Sequence, residues 1–203
     1  MGTPEVYVAS SKAFSEDEQR KLADDLSRVL EVEVGTATIS GEALDLQPIV
    51  SFVWEKLTDA AFTLLLAKIG SELWKVFQKR ARETISKHVG DNSRIEFKFL
   101  GLNGTEVWFS TKARDPSTIQ QAFEGLRPVL MEIQFLSEGH NLPGTKRIVY
   151  CELVEGKQWQ ITGATEMAPD FAQYEYEGPK WIEHGRISEE TIKRIKSSVR
   201  NVQ

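Results

Sequence analysis

The chain has 203 residues and a formal net charge of −5, and its apolar and charged content is that of a globular protein with a substantial core. This net negative charge argues against a general nucleic-acid binder, which needs a basic surface. Local basic patches are still compatible with the net charge. The single cysteine, Cys151, excludes a scaffold of intrachain disulfides. We expect a cytoplasmic protein, because the first residues lack the basic and apolar segments of a secretory signal.

The beginning of the chain predicts a strand, a helix and a second strand. Residues 5–9 are rich in β-forming types and end in a serine turn. Ser15 and Glu18 then have the spacing of a capping box, in which each side chain binds a backbone amide at the start of a helix. Residues 32–39 return to β-forming types, so an α/β or α+β layer begins here.

Residues 48–88 predict one long helix. Pro48 suits a first helical turn, where its missing amide proton costs nothing, and apolar residues recur at helical spacing as far as Phe77. Two faces are apolar in the middle, so we expect the helix to pack between other elements or between two subunits. Gly70 marks a candidate bend. The most apolar stretch, residues 60–67, is too short to span a membrane, which takes about 20 apolar residues.

Two β-hairpins are predicted after this helix. Residues 95–99 alternate between apolar and charged types, and Asn103 with Gly104 supplies the tight turn before a return strand. Residues 146–154 and 158–162 have the composition of a second hairpin.

Further helices and a loop complete the predicted elements. Asp115 and Pro116 start a helix that Pro128 should kink or divide. The acidic and aromatic residues 165–185 predict a loop with one short edge strand. Ser188 is placed to cap a final helix.

These elements predict an α+β fold, with a mainly antiparallel sheet that contains two hairpins and is covered by a long central helix and additional helices. The sequence contains no repeat and no flexible linker, so residues 1–203 predict a single domain. If the chain has two lobes, they are residues 1–47 and 90–203, joined by the helix at 48–88.

No catalytic or metal-binding pattern is recognisable, and we expect neither a metal nor a cofactor. Cys151 lies in an apolar strand, where a buried and inert thiol is typical, and the three histidines lack the spacing of a metal site. The glycine patterns of nucleotide-binding loops are missing. The alternative is a small enzyme with an unrecognised site, in which the loops around His140 and His184 converge with Cys151 or an acidic residue.

Three aromatic residues in the acidic segment, Tyr174, Tyr176 and Trp181, are the candidate partner-binding surface. Aromatic side chains provide contact area at a low entropic cost, although packing against the sheet explains them equally well. The sequence therefore predicts a non-catalytic protein-interaction or regulatory module, such as an accessory subunit or inhibitor, whose partner is another protein or a second copy of the chain.

A basic surface supports another alternative, a peripheral membrane or nucleic-acid binder. Its residues follow one another in the second half of the predicted long helix, where a solvated helix face is the simpler explanation. They are Lys75, Lys79, Arg80, Arg82 and Lys87.

Overall fold

A computed structural model describes residues 6–39, 47–56, 58–90, 92–102, 105–138, 147–154, 158–166, 171–177 and 180–187. The strands of this part of the chain are β1 (Val6–Ser10), β2 (Val34–Thr38), β3 (Ile49–Trp54), β4 (Arg94–Leu102), β5 (Thr105–Lys112), β6 (Arg147–Val154), β7 (Gln158–Glu166), β8 (Phe171–Glu177) and β9 (Lys180–Ile187). Its α-helices are α1 (Glu16–Leu30), α2 (Asp59–Lys68), α3 (Glu72–Ile85), α4 (Pro116–Glu124) and α5 (Leu126–Glu138), and a 3-10 turn (Ser86–His88) follows α3.

All nine strands form one sheet in the order β2-β1-β3-β4-β5-β6-β7-β8-β9. The pairs β1/β2, β3/β4 and β5/β6 are parallel, and the other neighbours are antiparallel. Helical segments connect the strands of each parallel pair, as parallel pairing requires. The predicted α+β class is therefore confirmed, but the sheet is larger than expected and mixed.

The predicted long helix at 48–88 is wrong. Residues 49–54 form β3, a strand that is buried at every position and lies inside the sheet between β1 and β4. A strand of this kind is a continuous apolar run, which periodicity alone does not distinguish from a buried helix. The remainder divides into α2 and α3 at Gly70, whose φ of 94° is left-handed. Gly70 thus separates two helices and does not merely bend one.

The prediction of a loop with one short edge strand at 165–185 is only partly right, because two antiparallel strands, β8 and β9, pair there and β9 is the edge. The helix that starts at Asp115 is divided, as expected, but the break lies at Gly125 and not at Pro128, which falls in the first turn of α5. Gly125 is required because a Cβ atom there would lie 2.9 Å from the Trp159 ring of β7.

Several local predictions are confirmed. Ser15 and Glu18 form both hydrogen bonds of the capping box at the start of α1. β4 pairs with β5, and β6 with β7, as the two hairpins require. The turn at Asn103 and Gly104 and the helix expected from Ser188 lie outside the described residues.

The helices cover one face of the sheet and close over an aromatic core. Phe52 of β3 stacks on Phe97 of β4, with ring centroids 5.4 Å apart, and Phe77 of α3 meets Phe52 edge to face at 5.7 Å. Phe123 of α4 packs against all three rings. These contacts attach the helical layer to the centre of the sheet. No helix in the described ranges is long and apolar enough to cross a membrane.

The close approach of β7 and β8 requires a glycine at position 163. A Cβ atom on Gly163 of β7 would lie 2.5 Å from the backbone carbonyl oxygen of Tyr174 in β8. Replacing Gly163 with alanine should therefore force the strands apart and lower the free energy of unfolding by about 1–3 kcal/mol, measured by urea denaturation. Gly185→Ala is the matched control, because no atom lies within 4 Å of a Cβ atom there. Equal losses in the two variants would contradict this explanation.

The opposite face of the sheet carries no helix in the part of the chain that the structure describes. Across β3, β4 and β5, the hydroxyl of Ser51 donates to Glu96 at 2.7 Å, and Glu96 also pairs with Lys98 at 2.7 Å. The Lys98 ammonium lies 5.2 Å from the centre of the Trp108 ring. The charges in the middle of this face therefore have partners.

Candidate anion-binding cleft

A cleft of about 500 Å³ opens at one end of the central strands of the sheet. The parallel strands β5 and β6 both end there, at Lys112 and Val154, and β4 begins there at Arg94. The carboxyl ends of neighbouring parallel strands are a common place for ligands in sheets of this kind. α4, which follows β5, supplies Thr118 and Gln121 to the wall.

Three cations line this cleft. Arg94 of β4 and Lys112 of β5 lie directly opposite each other in the antiparallel register, and Arg114 follows two residues later. All three residues are exposed. Among the described residues, none of these three side chains forms an ion pair or hydrogen bond. Because directly opposed like charges destabilise a strand pair, an anion bound between Arg94 and Lys112 would relieve their repulsion.

The rest of the lining suits an anion attached to an organic group. Ser110 and Thr111 contribute hydroxyls and Gln121 an amide that can donate hydrogen bonds, whereas the Thr118 hydroxyl already donates to Asp115 at 3.1 Å. Leu153 and Val154 are the apolar residues of the lining, and Glu152 is its single carboxylate. Three cations and one carboxylate leave two uncompensated positive charges in the cleft.

The helix that borders the cleft has its first amides already occupied. Asp115 accepts hydrogen bonds from the amides of Ser117 and Thr118 at 2.8 and 2.9 Å. The Ser117 hydroxyl and the other donors of this turn lower the pKa of Asp115 to about 2, so it stays ionised at neutral pH. The attraction for an anion therefore comes from the three basic side chains and not from the start of α4.

The basic residues predicted from the sequence are elsewhere, on α3 and the turn after it, and most of them have partners. Arg80 pairs with the buried Asp25 at 2.5 Å, which Arg28 also contacts. Three others bind single neighbours: Lys75 to Glu72 at 2.6 Å, Arg82 to Gln120 at 2.6 Å, and Lys87 to Glu18 at 3.1 Å. Lys79 is exposed. The role of this surface stays a prediction.

The structure places the predicted aromatic residues on β8 and β9, the last two strands at one edge of the sheet. Tyr176 and Trp181 pack together, with ring centroids 4.7 Å apart, and against the hydrophobic core. The Tyr176 hydroxyl donates to Glu132 of α5 at 3.3 Å, and the Tyr174 hydroxyl donates to Glu166 at 3.4 Å. All three aromatics are half-buried, so packing accounts for much of their surface, and their part in partner binding stays a prediction.

The predicted enzyme site is not assembled by those of its residues that the structure describes. Cys151 faces the core, and burial, followed by the charge of Glu132, raises the pKa of its thiol. His184 is exposed and contacts Glu175 at 2.5 Å. It lies beside Tyr150 and Glu152 of β6. These two residues flank Cys151 in the strand, so their side chains point to the face of the sheet opposite Cys151. Cys151 and His184 therefore lie on opposite faces of the sheet, and His140 is outside the described residues.

No group of three metal-ligating side chains occurs in the described ranges. The described lining of the cleft consists of cations, hydroxyls, an amide, a carboxylate and apolar groups. This set can hold and orient an anion through charge-assisted hydrogen bonds. Sequence reasoning missed Arg94, Lys112 and Arg114, although their basic character at the ends of a predicted hairpin was a signal. Comparison of the chain with protein-family models, curated proteins and solved structures finds no match.

Proposed function

We propose that the protein is a non-catalytic interaction module that recognises a phosphoryl group in the cleft formed by Arg94, Lys112 and Arg114. One observation carries this proposal: Arg94 and Lys112 are held opposite each other on paired strands without a counterion among the described residues. Such a pair costs stability in the free protein and becomes favourable when an anion lies between its members.

A phosphoryl group fits the charge and the hydrogen-bonding groups of the cleft. It carries between one and two negative charges at neutral pH, close to the two uncompensated positive charges of the lining. Guanidinium groups bind phosphate oxygens in a two-pronged geometry, and the neighbouring hydroxyls can donate to the remaining oxygens. The cleft volume of about 500 Å³ lies within the usual range for small-ligand sites.

The surroundings favour a compact anion over a nucleic-acid backbone. Glu96 and Glu106 lie on the strands that lead into the cleft, Glu152 lines it, and the whole chain has a net charge of −5. A polyanion that crossed the sheet would meet these carboxylates, whereas a single phosphoryl group would not. The group belongs either to a small metabolite or to a modified side chain of a protein partner.

Titration calorimetry at low ionic strength tests the proposal. We expect the wild type to bind inorganic pyrophosphate and the triple variant R94Q/K112Q/R114Q to bind it at least about tenfold more weakly, since each charge-assisted bond contributes about 1.5–3 kcal/mol. The matched control is K75Q/K79Q/R82Q, which removes the same number of positive charges from α3 and should leave the affinity nearly unchanged.

Two results would overturn the proposal: undetectable binding by the wild type, or equal losses in both triple variants, which would indicate general charge attraction. A phosphoserine peptide and its unphosphorylated form, titrated in parallel with pyrophosphate, distinguish the two sources. A peptide that binds more tightly than pyrophosphate, and only when phosphorylated, identifies a protein partner. The reverse order identifies a small phosphorylated ligand.

A further inference from the structure

β2 is an edge of the sheet whose outward backbone groups have no strand neighbour within the described residues. The Ile39 amide donates to the Ser10 carbonyl of β1 at 2.8 Å, so the backbone groups of Ile39 point inward. Because these groups alternate in direction along a strand, the N–H and C=O groups of Val34, Thr36 and Thr38 point away from β1. Three residues thus present a regular row of donors and acceptors.

The two edges of the sheet differ in charge. β9, the opposite edge, carries Lys180, Glu183, His184 and Arg186, and charged edge residues discourage pairing with other chains. β2 has the sequence Val-Gly-Thr-Ala-Thr, with neither a charge nor a proline. It therefore lacks the charged and proline residues that protect many edge strands, and its composition suits extension of the sheet.

We propose that β2 pairs antiparallel with β2 of a second copy of the chain, with Thr36 opposite Thr36 on a two-fold axis. In this register Val34 of each copy faces Thr38 of the other, so all the outward residues exchange both backbone hydrogen bonds. The strand is self-complementary and brings no charge to the axis, which favours a second copy over an unrelated peptide. Two-fold dimers are also the commonest symmetric assemblies.

This interface is separate from the proposed anion site. β2 and β4 are separated in the sheet by β1 and β3, so a dimer through β2 leaves both clefts open, one in each copy. The proposal therefore goes beyond the proposed function and does not depend on it. Loss of dimerisation should leave pyrophosphate binding unchanged, and the two ideas can fail independently.

Sedimentation velocity over a range of protein concentrations tests the dimer. The wild type should associate reversibly, whereas T36K and T36E should each dimerise roughly tenfold more weakly, because each places two like charges at the axis. Thr36 is exposed, so both variants should fold, which circular dichroism checks. An equimolar mixture of T36K and T36E should restore association, since opposite charges then meet at the same position.

T36V is the control, because it keeps a β-branched side chain and all backbone groups and should dimerise like the wild type. A wild type that is monomeric at every concentration would overturn the proposal. A dimer that T36K and T36E leave unchanged, or a mixture that fails to associate more strongly than either variant alone, would also overturn it.

Discussion

Replacing Phe123 with alanine is expected to lower the free energy of unfolding by about 3–5 kcal/mol. Phe123 is fully buried on α4, where the helical layer meets the middle of the sheet. Its ring centroid lies 5.1 Å from Phe97, 5.5 Å from Phe52 and 5.6 Å from Phe77. Removing the ring forfeits its burial and its edge-to-face contacts, and it leaves a cavity between elements that cannot close without moving β3 and β4.

Urea denaturation followed by tryptophan fluorescence measures this loss. Because a domain of this kind has a total stability of about 5–15 kcal/mol, Phe123→Ala could unfold much of the population, and Phe123→Leu provides a milder second measurement. The control is Phe135→Ala on α5. Phe135 is 71% exposed, so its removal should change stability by less than about 0.5 kcal/mol. Similar losses at the two positions would contradict the assignment of Phe123 to the core.

The same core explains why the sequence predicted the hairpin strands but not the central strand. Residues 95–99 alternate because one face of β4 packs under the helices and the other carries Glu96 and Lys98. β3 is buried on both faces and shows no alternation, so its apolar residues matched a helical pattern. Local signals such as the Ser15 capping box were sufficient for α1, since that motif depends only on residues within one turn.

The cleft could not be predicted from the sequence because it depends on the register of a hairpin. A simple two-residue turn at 103–104 would place Arg94 opposite Ala113. β4 instead has an irregularity between Leu100 and Leu102, at Gly101, whose φ of 101° is left-handed. The extra residue shifts the pairing by one and brings Arg94 opposite Lys112. A one-residue shift of this kind decides which side chains meet, and composition does not reveal it.

This register makes Lys112→Glu the most informative single substitution in the cleft. It replaces the repulsion between Lys112 and Arg94 with an attraction between opposite charges on directly paired residues. We therefore expect the variant to be more stable than the wild type at low ionic strength, by about 0.2–1 kcal/mol. The same substitution should reduce pyrophosphate affinity by at least about tenfold, because it removes one cation and adds a carboxylate beside Glu152.

Thermal unfolding with and without pyrophosphate measures both effects in one experiment. Pyrophosphate should raise the melting temperature of the wild type, since a ligand that binds the folded state stabilises it, and should have little effect on Lys112→Glu. Lys79→Glu on α3 is the control with the same change in net charge, and it should retain the stabilisation by pyrophosphate. Increased stability together with lost binding would indicate that the directly paired Arg94 and Lys112 bind the anion together. A variant that is less stable than the wild type and still responds to pyrophosphate would show that the opposed pair is not the binding element.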